Sequence, residues 1–176
     1  ALEVEDSSVA RALWWSLSRD ALVWRRSLGN RLEAVAMSPD ARTVAAAGID
    51  GCIYLLDSRT QEVQVLRGQR DHIHALGFSA DGRMLAYGEQ SGTAGLWNVT
   101  TDDRLEFRAH DAGVYGVAFS PRGDTLVTAS YDGTVRMWRT LDGGAIGELP
   151  GHDGRCLDVV VDGSGLVASM GADGVV

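Results

Sequence analysis

Thr125-Leu126-Val127-Thr128-Ala129-Ser130-Tyr131-Asp132-Gly133-Thr134-Val135-Arg136-Met137-Trp138-Arg139 decides the fold. Two runs rich in β-branched and aromatic residues flank Tyr131-Asp132-Gly133, and Asp-Gly between such runs is the strongest short-range hairpin signal. Outward from this hairpin, Val114 to Ser120 reads as a preceding strand, joined by the turn Pro121-Arg122-Gly123-Asp124. On the other side the loop Leu141-Asp142-Gly143-Gly144 leads to a fourth strand, Ala145 to Leu149. The unit is four short antiparallel strands.

The unit recurs. Trp15, Leu56, Trp97 and Trp138 are spaced by 41 residues. So are Asp50, Ser91, Asp132 and Asp173, each followed by glycine, and the turns beginning Met37-Ser38-Pro39, Phe78-Ser79-Ala80 and Phe119-Ser120-Pro121. Three landmarks keeping one period define a repeat protein. A fourth copy starts near Arg155, slips by one residue around Asp162-Gly163 and is back in register at Asp173-Gly174. No segment has sustained helical periodicity, so the chain is all-β.

The first two strands of each unit are nearly continuous apolar or small runs, as in Thr43-Val44-Ala45-Ala46-Ala47, which predicts cover on both faces. The fourth strand alternates, as in Arg104-Leu105-Glu106-Phe107-Arg108, and is expected to be more exposed. Such a unit is a propeller blade, stacked face to face with its neighbours around an axis. Small residues in the first strands (Ala34, Ala75 and Gly116; Ala36, Gly77 and Ala118) suit crowding near that axis.

Composition agrees. With 176 residues, 45% hydrophobic and 23% charged, the chain is not disordered in its main state. No window approaches ~18 consecutive apolar residues, which excludes a transmembrane helix. Ala1 to Asp6 are acidic, with no basic region before an apolar core, so no signal peptide is expected. Two cysteines are too few for a disulfide scaffold. Net charge is −8 and all 16 basic residues are arginine. Such a domain repels phosphate backbones, so neither nucleic acid nor a membrane is an expected partner. The missing lysine points to a GC-rich coding sequence.

The landmarks resemble the WD40-repeat β-propeller family, whose period is ~40–45 residues. The third unit resembles it most: Ala109-His110, Phe119-Ser120-Pro121, Asp132-Gly133-Thr134-Val135 and Met137-Trp138-Arg139; the fourth opens with Gly151-His152. Departures exist. The Trp-Asp pair is Trp15-Ser16, Leu56-Asp57, Trp97-Asn98 and Trp138-Arg139, and the Gly-His pair is Gly68-Gln69 in one unit and missing at Leu28. The resemblance implies a structural hydrogen-bond network of His110, Asp132, Trp138 and either Thr128 or Ser130, with His152 and Asp173 as counterparts in the fourth unit. Blades without the histidine are expected to be looser. The resemblance also implies a seven-bladed ring as the usual complete form, with partners at the mouth of the central channel.

His-Asp-Ser in one blade is read as structural rather than as a catalytic triad, because a triad needs an exposed nucleophile. There is no Gly-x-Ser-x-Gly elbow, phosphate-binding Gly-Lys-Ser/Thr loop or His-Glu-x-x-His motif. His72 and His74 make half of a metal site, but Cys52 belongs to a neighbouring unit and no third ligand has convincing spacing; no metal or cofactor is expected. Cys52 and Cys156 lie in units three apart and read as reduced thiols, which fits a cytoplasmic location. Asp102-Asp103 reads as a solvated loop, and Trp14 and Trp24 as extra aromatics at the start.

One inner-strand position changes completely between units whose other positions keep their character: Glu33, His74, Tyr115 and Leu157. With the turn residues Ile49, Gln90 and Tyr131 (and Ala172), it is the candidate partner-binding face, since aromatic residues dominate binding hot spots. The expected divisions are 1–28 (end of a blade), 29–68, 69–109 and 110–151 (blades) and 152–176 (an incomplete blade). Strands are expected from Arg11 to Trp15 and from Ala21 to Ser27. Both ends fall inside blades, so the chain reads as a segment of a larger propeller, the rival being two copies closing one eight-bladed ring. The expected function is a non-catalytic protein-interaction scaffold. The alternatives are a sensing domain of a signalling ATPase or kinase, as in bacterial chains with such arrays, and a propeller enzyme or lyase using Glu33 and His74.

Overall fold

The computed structural model describes residues 27–66 and 71–176. Trp14, Trp15, Trp24, the strand expected from Arg11 to Trp15, most of that expected from Ala21 to Ser27, and the Gly68-Gln69 pair lie outside the described residues. Fourteen strands and no helix occur among those described. The first sheet runs β1 (Leu32–Met37), β2 (Thr43–Gly48), β3 (Ile53–Asp57) and β4 (Val63–Leu66). The second runs β5 (Ile73–Phe78), β6 (Met84–Glu89), β7 (Thr93–Asn98) and β8 (Arg104–Arg108). The third runs β9 (Val114–Phe119), β10 (Thr125–Ser130), β11 (Val135–Arg139) and β12 (Ala145–Leu149), and β13 (Cys156–Val161) pairs with β14 (Val167–Gly171). Every pairing is antiparallel between chain neighbours. The expected strand limits in the third unit hold to within one residue.

The core is three apolar layers, one between each pair of successive sheets. Ala45, Ile53, Leu55 and Leu66 pack against Ile73, Leu85, Tyr87 and Trp97. Ala86, Ala94 and Leu96, on the opposite face of the second sheet, pack against Val114, Val117, Leu126 and Trp138. Val127, Ala129 and Val135 pack against Cys156 and Val159. Leu85, Ala86 and Tyr87 thus alternate between two layers, which is why β6 reads as an uninterrupted apolar run. The inner strands β1, β5, β9 and β13 lie side by side. At Gly116 an added Cβ would stand 2.7 Å from the backbone nitrogen of Val159, so this close approach requires glycine.

The sheets form part of a ring, and its open sides correct one expectation. β1 and β13 are not covered on both faces: Val35 is 72% and Val160 59% exposed. Within the stack the expectation holds, and β10 is buried from Leu126 to Ser130. At one end of each blade, the first and second strands are joined by a turn in which Ser38, Ser79 or Ser120 hydrogen-bonds Asp40, Asp81 or Asp124. The same serine oxygen accepts the N–H of the first residue of the next strand, Thr43, Met84 or Thr125. At the other end lie the hairpins before Gly51, Gly92, Gly133 and Gly174, all with positive φ. Gly133, at φ 89°, is where the hairpin needs a residue without a side chain.

Candidate functional site

The inner strands share an irregularity. Pairing of β1 with β2 skips between Leu32 and Ala34, β5 with β6 between Ile73 and Ala75, and β13 with β14 between Cys156 and Asp158. In the third sheet Ser130 pairs Val114 while Ala129 pairs Gly116. The residues left over are Glu33, His74, Tyr115 and Leu157, the four that vary between repeats. A β-bulge re-aims the extra side chain and is favoured beside binding sites. Here one bulge per blade lines the rim at the Asp-Gly hairpin end.

The projected side chains meet across blades. The His74 ring stacks on Tyr115 at 4.2 Å, and Tyr115 on Tyr131 at 3.6 Å. The Arg155 guanidinium lies 4.9 Å from the centre of Tyr131. Each aromatic edge is half-buried, offering apolar area with polar tips. Burial, then the neighbouring Tyr131, pushes the Tyr115 phenol up to about 12, so it remains a neutral donor. Gln90 reaches Nε2 of His74 at 2.6 Å, and Glu33 lies 2.7 Å from Nδ1. Leu157 lines the same depression as Glu33, His74 and Tyr115, of about 350 Å³. Ile49 is exposed in the hairpin after β2, whose backbone bonds Arg31.

A second cluster lies inside the third blade. Trp138 Nε1 donates to Thr128 Oγ1 at 2.9 Å, and Thr128 Oγ1 is 2.7 Å from His110 Nε2. His110 Nδ1 reaches Asp132 at 3.0 Å. One proton order satisfies the chain: Trp138 to Thr128, Thr128 to a neutral His110, and His110 to Asp132. Thr128, not Ser130, therefore serves the imidazole; Ser130 instead donates to Ala112 O and accepts from Asp132 N. Burial lowers the His110 value despite the charge on Asp132. For Asp132, burial works upward but is outweighed by Thr134, His110 and the Asp111 amide, leaving it at about 2. Thr128 is fully buried, so no substrate reaches its hydroxyl. His152, Ser169 and Asp173 repeat the arrangement in the fourth blade at 2.9 and 3.1 Å.

The second blade is filled differently. Tyr87 stands at the place of Thr128 and lies over Gly95, which replaces Arg136; a Cβ there would strike the tyrosine ring. The Tyr87 hydroxyl donates to Glu106 at 2.6 Å. Trp97 Nε1 donates to Asp102 at 2.9 Å, so Asp102 is a partner of the tryptophan rather than simply a solvated loop residue.

The sequence offered no third ligand beside His72 and His74. The structure places Glu33 there, and one ligand atom from each residue lies within 4.8 Å of the others. The signal was present only as the variable inner-strand position; adjacency across blades is set by the ring.

Known proteins agree with this fold. Residues 60–98 and 102–139 match the family described as WD domain, G-beta repeat. No curated protein sequence matches the chain. Among solved structures, one titled "Structure of U3-55K" superposes with a TM-score of 0.72 at 22% identity, covering 77% of this chain and 44% of that one. Another, "Crystal structure of RRP9 WD40 repeats", gives 0.72 and 22%, covering 77% and 43%. The fold is a WD40-type β-propeller, present as a partial ring of four-stranded antiparallel blades. The chain spans less than half the length of these two structures.

Proposed function

We propose that the chain is a non-catalytic docking platform, and that a protein or peptide engages the rim of Glu33, His74, Tyr115 and Leu157 below Gln90 and Tyr131. The observation that carries this reading is the bulge, which recurs in all four described inner strands while the residue it projects changes. A constant scaffold with variable projections is what partner selection requires. The stacked His74, Tyr115 and Tyr131 supply rigid aromatic anchors, and Arg155, Glu33 and Asp158 supply charge around them. The net charge of −8 turns polyanions away. The exposed faces around Val35 and Val160 are covered in this reading by further blades.

Peptides selected from a displayed random library on the protein test the assignment. Tyr131→Ala is expected to weaken the selected ligands at least ~30-fold, about 2 kcal/mol for an aromatic anchor, while the protein stays folded with a loss of only about 0.5–1.5 kcal/mol from the stack on Tyr115. Unchanged affinity, with loss instead on substituting Arg122 at the other end of the blade, would overturn it.

A further inference from the structure

We propose that Glu33, His72 and His74 bind one divalent transition-metal ion, with Zn²⁺ the best fit, at the edge of the same rim. Three observations converge. The bulges at Glu33 and His74 turn a carboxylate and an imidazole from neighbouring blades toward each other, and His72 brings a second imidazole from β5's leading end. The ligand atoms lie within 4.8 Å of one another, a spread that rotation of the exposed His72 can close.

The second observation is an unsatisfied atom. Glu33 Oε2 is shut off from solvent and has no hydrogen-bond partner, although His74 Nδ1 is only 2.7 Å away. The third explains why. His74 Nε2 meets the Gln90 side-chain oxygen at 2.6 Å, and donating its proton there leaves a lone pair on Nδ1 facing the carboxylate. Two lone pairs at that distance repel unless positive charge lies between them: a proton on Nδ1, which makes the contact an ion pair, or a metal ion in its place. Arg31 is 3.4 Å from the other oxygen, Oε1, and does not answer Oε2.

A metal ion does. An imidazole that donates its second nitrogen to a carbonyl is the usual form of a metal-binding histidine, because the outer bond fixes ring and tautomer. Two imidazoles and a carboxylate suit Zn²⁺ at bond lengths of about 2.0–2.2 Å and leave a fourth position for water. The hard cations Ca²⁺ and Mg²⁺ prefer all-oxygen sets.

Titration of untagged protein with Co²⁺, read by its visible absorption and by displacement with Zn²⁺, tests the site. One saturable equivalent with the band intensity of a four-coordinate ion is expected. His72→Ala and Glu33→Gln should each weaken binding about tenfold or more, and Gln90→Ala should weaken it about tenfold through loss of the outer bond. Glu33→Gln is nearly isosteric and His72 is exposed, so both variants should melt at the parent temperature. Absence of a saturable signal, or a signal that survives both His72→Ala and Glu33→Gln, would overturn the proposal.

Discussion

Gly116→Val is expected to lower stability by about 3 kcal/mol or more, the cost of forcing bulk into a filled interior. For a chain of this length that is a fall of roughly 10 °C in melting temperature. Gly116 lies on β9 against β13, and its missing Cβ would meet Val159 N at 2.7 Å and the Asp158 carbonyl carbon at 2.9 Å. These are backbone atoms of the adjacent blade, which cannot rotate aside. Gly147, on the outer strand β12, is the control: its nearest neighbour is Met137 Cε at 3.8 Å. Gly147→Val should be nearly neutral. Thermal unfolding of both variants measures the contrast, and equal losses would mean that the inner strands are not in close contact.

His110→Ala is expected to cost about 2–3 kcal/mol, because it strands the buried Thr128 hydroxyl and removes a donor from Asp132. Gln69→Ala should cost less. The same cluster predicts acid lability. His110 has a lowered folded value, so the unfolded chain binds its proton first and stability falls as pH drops below about 6.5. Asp132 is also depressed, to about 2 from 3.8, so its contribution is complete above pH 3.8 and lost as pH falls through about 2. Both act in one direction. Urea unfolding between pH 8 and 3 should show a monotonic decline that is shallower in His110→Ala.

Much of this was legible in the residues. The 41-residue landmarks gave the blades, and Asp132-Gly133 gave the hairpin on which the register hangs. The continuous apolar run of β6 was read as doubly covered, and Leu85 and Ala86 indeed enter different layers. A partial ring was expected, but not which residues it leaves uncovered, because periodicity reports only what a blade is built to bury; Val35 and Val160 stand exposed. Thr128 and Ser130 share a face, and only their hydrogen bonds distinguish them: Thr128 meets His110, while Ser130 donates to Ala112 O. The bulge leaves no residue-type signature and surfaced only as variability at Glu33, His74, Tyr115 and Leu157. The approach of Glu33 to His74 crosses 41 residues of sequence and depends wholly on how two blades stack. That Tyr87, at the place of Thr128, reaches Glu106 depended on Gly95 having cleared the space for its ring.

The docking claim is tested most directly by amide hydrogen exchange with and without a library-selected peptide. The account predicts slowed exchange at residues 72–75, 90, 113–116 and 131, where the bulges and hairpins form the rim. Protection confined to the Ser79–Asp81 and Ser120–Asp124 turns at the opposite end would contradict it.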